Sequence, residues 1–393
     1  MRDVVVVAGA RTAIGSFGAT LKDFSPSQLA TIVTREVMTR AMLAGDDVGH
    51  VVFGNVIQTD ARDMYLARVA AVDAGIAVDT PALTVNRLCG SGLQAIVSAA
   101  QGIMLGDYDV AIAGGAEIMS RAPFHLPSHR FGARMGNTQV IDMLLGSLHD
   151  PFHGIHMGVT AENVAAENAI TREDQDHLAF LSHRRAAAAI EAGWFKEQIV
   201  PVPIKTRKGE TVFDTDENPR ADVSLEDLAK LRTVFQKENG TVTAGNASSI
   251  NDGAAAVVLM EAEEAKRRGA RVLGRLVGYA HAGVDPRTMG IGPVPATRKL
   301  LAKTGITLDQ LDVIEANEAF AAQACAVTRQ LGLDPAKVNP NGSGISLGHP
   351  VGATGAIVTV KALYELERIG GRYALVTMCI GGGQGISAIF ERP

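Results

Sequence analysis

The 393-residue chain states one pattern twice. A short apolar run, Val51–Phe53, leads to Asn55, and a second, Val313–Glu315, leads to Asn317. At nearly equal distances from these asparagines come two Gly-rich turns that open helical patterns, Cys89-Gly-Ser-Gly and His349-Pro-Val-Gly. Leu93, Ile96, Val97, Ala100, Ile103 and Met104 recur at helical spacing before Gly106 stops the first helix. Each helix is followed by an apolar strand running into glycines, Val110–Gly115 and Ala374–Gly383. Upstream, Val4–Gly18 resembles Leu276–Gly292, and the strands Gly253–Met260 and Gly385–Phe390 match as well. This is an internal duplication. Its alternation of β-branched runs with longer periodic segments predicts an α/β fold built from two like halves.

The first half is interrupted. Its last strand follows a stretch that the second half lacks, so residues 1–119 with 250–270 form one half, 120–249 an inserted domain, and 271–393 the other half. No acid occurs between Glu117 and Asp142, where Arg121, Arg130 and Arg134 fall. That stretch reads either as a solvated loop or as a subunit contact or lid over an anionic ligand.

Composition excludes other classes. The net charge of −5 gives no basic field for nucleic acid or an anionic membrane, and 47% apolar residues are too many for disorder. Three cysteines, Cys89, Cys325 and Cys379, lie far apart without a CxxC pair, which predicts a reducing compartment such as the cytoplasm. The apolar run at Val4 is too short for a signal peptide, and no uninterrupted apolar stretch approaches a membrane span.

Cys89 stands at a Gly-flanked strand-to-helix turn, where helix amides favour a thiolate, so it reads as a nucleophile. The alternative is a buried structural cysteine. His349 occupies the equivalent turn of the second copy. Halves packed about a pseudo-twofold axis bring equivalent turns together, so imidazole would face thiol. Cys379 precedes three glycines that let a backbone amide approach a site closely. A dinucleotide-binding loop is excluded there, because no helix or ribose-binding acid follows. Asn317 could hold a water or substrate oxygen beside His349, or merely cap a helix. His149, His153 and His156 are interrupted by Pro151 and Gly154 and lack partners, so no metal is expected.

Asn86-Arg-Leu-Cys-Gly-Ser-Gly, Asn317-Glu-Ala-Phe, Gly348-His-Pro-Val-Gly-Ala-Thr-Gly and Cys379-Ile-Gly-Gly-Gly together closely resemble the motifs of the thiolases. The likeness runs nearly end to end and is greatest to the bacterial biosynthetic branch, the broad-range β-ketothiolases associated with polyhydroxyalkanoate synthesis. The resemblance implies a duplicated five-layered αβαβα fold of two five-stranded halves with an inserted loop domain. It implies acetyl-CoA C-acetyltransferase activity: reversible, ping-pong Claisen condensation of acetyl-CoA with a short acyl-CoA. By resemblance Cys89 carries the acyl group, His349 activates it, and Cys379 is the acid/base at the methyl carbon of the second acetyl-CoA. His349 with an Asn317-held water forms one oxyanion hole, and the amides of Cys89 and Gly381 the other. Leu148, His156, Met157, Arg220, Ala244 and Ser248 would bind coenzyme A, while Met289, Ala319 and Phe320 line the pantetheine and acyl end. Coenzyme A and acetyl-CoA enter as substrates, with no permanently bound cofactor. One departure is Ala247-Ser248-Ser249, where the family has Ala-Ser-Gly; a positive φ there would strain Ser249. The resemblance also implies a homotetramer joined through the arginine-bearing loop.

The rival readings are a 3-ketoacyl-CoA thiolase of fatty-acid degradation, a decarboxylating ketoacyl synthase and an inactive acyl-CoA binder. Cys379 argues against the synthase, and the intact set Cys89, Asn317, His349 and Cys379 against the binder.

Overall fold

The computed structural model describes residues 1–207 and 209–393. Its main sheet contains β1 (Val4–Arg11), β2 (His50–Gly54), β3 (Ala82–Val85), β4 (Val110–Ile118), β5 (Asn251–Glu261), β6 (Gly274–Gly283), β7 (Leu311–Ala316), β8 (Tyr373–Ile380) and β9 (Gln384–Glu391). Their spatial order is β7-β8-β9-β6-β1-β5-β4-β2-β3. The order is symmetric about the antiparallel contact of β1 with β6, where Val5 faces Arg275. Outward from β1 come β5 and β4, antiparallel, then β2, parallel. Outward from β6 come β9, β8 and β7 in the same senses. Even an irregularity is repeated: the ladder skips a residue between Val6 and Ala8 in β1, and between Leu276 and Gly278 in β6. A bulge at the same place in both copies is a designed bend rather than a defect.

The halves differ at their edges. β3 completes the first, but its counterpart is a single parallel bridge from Ile314 to Val338. Asn339 at φ 48° and Pro340 turn the chain away before a fifth strand can form. Another difference from expectation is that β4 continues through Gly114 and Gly115 to Ile118. These glycines do not end the strand. A Cβ on Gly115 would lie 2.2 Å from the carbonyl oxygen of Gly352, so the residue makes room for a helix against the sheet.

That helix is one of a central pair. Helices α1 (Pro26–Arg40) and α2 (Leu66–Ala74) cover the outer face of the first half, and α6 (Pro293–Thr304) and α7 (Ala321–Leu331) lie on the second. Between the half-sheets run α3 (Ser91–Leu105) and α8 (Val351–Arg368). A helix enclosed on all sides must be apolar all round. Val351 to Leu366 are accordingly all buried, and the one ammonium among them, Lys361, stands 2.8 Å from Glu315 Oε2. The Leu88–Leu105 stretch has a mean hydropathy of 1.4 and could span a membrane by length and composition, but most of it is buried between the layers. The two central helices touch through backbone. A Cβ on Gly92 would lie 2.6 Å from Ala356 N, and one on Gly355 2.2 Å from Leu93 N.

The chain leaves β4 after Ile118 and re-enters at Asn251. Between them lie α4 (Met157–Glu167), α5 (Arg172–Glu191) and a hairpin, Val202–Thr206 with Gly209–Phe213. A buried bidentate ion pair fastens this segment to the end of β1: Arg11 Nη1 and Nη2 reach Asp216 Oδ1 and Oδ2 at 2.7 and 3.0 Å. Breaking one side of such a pair costs about 3–5 kcal/mol, because the other charge is left buried alone. Most of residues 123–140, by contrast, is exposed, including Phe131 and Met135.

Candidate active site

Cys89 sits where β3 turns into α3. The turn is tight enough to force Leu88 to φ 44°, and two side chains hold it there. Asn86 Oδ1 accepts from Leu88 N, and Ser91 Oγ accepts from Arg87 N while donating to Leu88 O at 2.7 Å. Gly90 itself is right-handed, so its lack of a side chain serves space: a Cβ would lie 2.6 Å from Ile380 Cδ1. The sulfur faces a cavity and is hydrogen-bonded by the Gly381 amide. Burial nevertheless pushes the thiol up to about 11, the Gly381 and Cys89 amides oppose this, and the Glu117 carboxylate adds to it. Desolvation thus opposes the thiolate that the helix amides favour, and removal of the proton falls to a neighbouring base.

His349 follows Gly348, whose φ of 110° and contact with Asn251 leave no room for a side chain. Its backbone N–H donates to Asn251 Oδ1 at 2.9 Å. Thr354 Oγ1 is within donating distance of Pro350 O, at 2.9 Å, and with its proton placed there it accepts from His349 Nδ1, 2.6 Å away. Nδ1 thus carries the proton and Nε2 is left as the free base. Burial lowers the imidazole pKa to about 4, keeping the ring neutral. Asn317, wholly buried after β7, places its amide 3.4 Å from Nε2, and its Oδ1 has no hydrogen-bond partner among the described residues.

Cys379 ends β8, fully buried, in one apolar cluster with Met157, Met289, Ala319 and Phe320. Burial first, and the neighbouring Cys89 second, raise its pKa. The following glycines make the hairpin to β9, with Gly382 and Gly383 at φ 81° and 82°.

The cavity facing Cys89 has a volume of about 340 Å³. Cys89, His349 and Gly381 line it together with Leu148, His156, Met157, Ala244, Ser248, Met289, Ala319 and Phe320. Arg220 does not; it is exposed, and its backbone N–H donates to His183 Nδ1. Sequence reading missed Phe235, which stacks on His156 with centroids 4.6 Å apart and lines the same cavity. It also missed Thr354, although that residue lies within the Gly-His-Pro motif, one helical turn beyond His349. Ser249 is not at positive φ and is unstrained. Its hydroxyl stands 2.8 Å from Asn251 Oδ1, the atom that also receives the His349 amide.

A larger cavity, about 480 Å³, lies between α5 and α7. It contains neither Cys89 nor His349, and its arginines are already engaged: Arg329 by Asp174, Arg185 by the Pro335 and Val338 carbonyls. His149 and His156 face each other across a two-residue ladder. Among the described residues, no three His, Cys, Asp or Glu side chains are arranged to hold a metal ion.

Residues 4–263 match the model of the thiolase N-terminal domain and residues 270–392 that of the thiolase C-terminal domain. Beta-ketothiolase BktB of Cupriavidus necator is 70% identical over 391 residues, covering 100% of this chain and 99% of the relative. An acetyl-CoA acetyltransferase of Pseudomonas aeruginosa is 50% identical over the whole of both chains. Among solved structures, the Bacillus anthracis acetyl-CoA acetyltransferase superposes with a TM-score of 0.97 at 48% identity, covering 100% and 99% of the two chains. Human mitochondrial 3-ketoacyl-CoA thiolase in complex with CoA does so with 0.96 at 43% identity, covering 100% and 98%.

Proposed function

Since the chain belongs to the thiolase family and is an acyltransferase of the biosynthetic β-ketothiolase type, we propose that it joins and cleaves short 3-ketoacyl-CoA thioesters through an acyl group carried on Cys89. The observation that carries this reading is the pairing, in one apolar cavity, of a neutral thiol with an imidazole whose free nitrogen is Nε2.

The resting protonation states order the steps. Nε2 of His349 takes the Cys89 proton as sulfur attacks the acetyl-CoA carbonyl, so no standing thiolate is needed. Cys379, disfavoured as an anion, is a proton donor at rest and gives its proton to the departing CoA sulfur. It is then a thiolate beside the acyl-enzyme, able to remove a methyl proton from the second acetyl-CoA. The enolate oxygen is met by the protonated Nε2 and a water held by Asn317, whose Oδ1 is free to accept. The enolate carbon attacks the acyl-Cys89 carbonyl, and the amides of Cys89 and Gly381 receive the oxyanion. Collapse releases the Cys89 sulfur, His349 returns its proton, and every group regains its starting state. Donors so aimed are each worth about 3–4 kcal/mol of barrier.

Residues 120–249 bind coenzyme A in this reading, with Leu148, His156, Met157, Ala244 and Ser248 on the near wall. Met289, Ala319 and Phe320 lie toward pantetheine and acyl group, and Arg220, outside the cavity, reaches only the distal part of the substrate. The enzyme works in the cytoplasm as a homotetramer. The test is CoA-dependent cleavage of acetoacetyl-, 3-ketovaleryl- and 3-ketohexanoyl-CoA, with Cys89→Ala as control. Cleavage of all three, lost in the control, is expected. Cleavage of acetoacetyl-CoA alone would restrict the substrate range, and cleavage of none would overturn the reading.

A further inference from the structure

The duplication pairs more than strands. Gly385 on β9 faces Cys379 on β8, and the matching Gly253 on β5 faces Glu117 on β4. Asn55 follows β2 as Asn317 follows β7, and Cys89 leads α3 as His349 leads α8. Glu117 is therefore the first half's counterpart of the reactive Cys379, and it stands beneath the junction of the two turns that carry the chemistry.

Its carboxylate is wholly buried and takes four N–H donors. Oε2 accepts from Val56 N and from Gly352 N, both at 2.9 Å; Oε1 accepts from Ile57 N at 3.0 Å and Asn55 Nδ2 at 3.1 Å. Gly352 is in the first turn of α8, three residues after His349, and only glycine fits: a Cβ would lie 2.3 Å from Oε2. Val56 and Ile57 pack with Val351 and Cys89 in one apolar cluster over this carboxylate. Four donors on two oxygens is the arrangement of an anion, which the start of a long helix also favours. Burial works the other way, toward about 8.

We propose that Glu117 is a positioning residue for the Cys89–His349 pair: its carboxylate ties the start of α8 to the loop beside Cys89 and, when ionised, sets a negative charge behind the nucleophile. The charged and titratable groups around it are Asp63, from the turn after β2, and Cys89 itself; Cys89 in turn is faced by Glu117, Cys379, His349 and His156. The charge holds the sulfur as a thiol until imidazole takes the proton, and the four hydrogen bonds hold imidazole where it can do so. This rests on Cys89 being the nucleophile, but half of its test reads the thiol without turnover.

The test uses full-length Glu117→Gln and Glu117→Asp. At pH 9, where the wild-type carboxylate is ionised on either account, alkylation of Cys89 by iodoacetamide is followed by peptide mass, alongside kcat and KM for acetoacetyl-CoA thiolysis. In Glu117→Gln, alkylation should quicken about threefold or more while kcat falls about tenfold or more and KM moves little. A purely structural role would loosen the same contacts in Glu117→Asp and speed alkylation there as well. Glu117→Asp, charged but too short for all four donors, should keep wild-type alkylation and lose kcat. Unchanged or slower alkylation in folded Glu117→Gln, or kcat within twofold of wild type, would overturn the proposal. If Glu117→Gln does not fold, wild-type kcat in Glu117→Asp would overturn it and reduced kcat with unchanged alkylation would sustain it. Loss of all turnover in the wild type, with alkylation responding as stated, would instead strike the assigned activity.

Discussion

Thr354 Oγ1 lies 2.6 Å from His349 Nδ1 and, with its proton placed toward Pro350 O, decides which imidazole nitrogen is the base. The two residues share one helix start.

Replacing Thr354 with Val keeps the shape and removes the acceptor. Nδ1–H is then buried without a partner, at a cost of about 1–3 kcal/mol, and the other tautomer becomes competitive. We expect kcat for thiolysis to fall about ten- to hundredfold with KM little changed, and Thr354→Ser to recover most of it. Equal activity of the Val and Ser variants would refute the tautomer assignment.

Cys379→Ser should still accept an acyl group on Cys89, more slowly because the CoA sulfur then leaves without the Cys379 proton, yet fail in condensation. Intact-mass measurement after incubation with acetyl-CoA reads the adduct directly. A variant that forms no adduct even on prolonged incubation would show that acylation cannot proceed without Cys379, and would overturn its assignment to the carbon acid.

The buried imidazole has a consequence for stability. His349 falls to about 4 from an ordinary value near 6.5, so protonation favours the unfolded chain. Its contribution is complete above pH 6.5 and is lost as pH falls from there toward 4. At pH 5 the loss is on the order of 2 kcal/mol. His156, His183 and His281 are lowered by burial in the same direction and add to the acid sensitivity. Urea denaturation at pH 7 and pH 5 should therefore show a smaller pH effect in His349→Asn than in the wild type; identical effects would exclude His349 as a contributor.

The exposed stretch with Phe124, Phe131 and Met135 presents apolar side chains beside Arg130 and Arg134. Such a surface suits a contact with another copy. Deleting Phe124–Arg134 should give dimers by light scattering, and a tetramer that persists would remove the loop from the assembly.

Much of this was legible in the sequence because duplication is written in spacing. The repeated Asn and Gly-rich turn pick out Asn317, Cys89 and His349 without coordinates, and the repeated strands announce two like halves, though not the order of the sheet. What escaped were partners joined only through space. Glu117 meets Gly352, and Ser249 meets His349 through Asn251, across separations that no local pattern spans. Phe235 stacks on His156 from a loop without periodicity. The environment of Cys89 is only half legible for a related reason: a helix start is visible in sequence, whereas the desolvation that opposes its thiolate is not. Gly114 and Gly115 look like a strand end and are a strand interior, because the helix they admit is far along the chain.

The contact of Gly92 and Gly355 with each other's helices leaves no side chain between the two backbones from which Cys89 and His349 are hung. Their spacing is thus set by peptide geometry, not by the residues that shape the acyl cavity. Exchanging Met157, Met289 or Phe320, which line the cavity, would leave that spacing untouched. A lineage, or an engineer, can retune what this enzyme accepts without having to reinvent how it reacts.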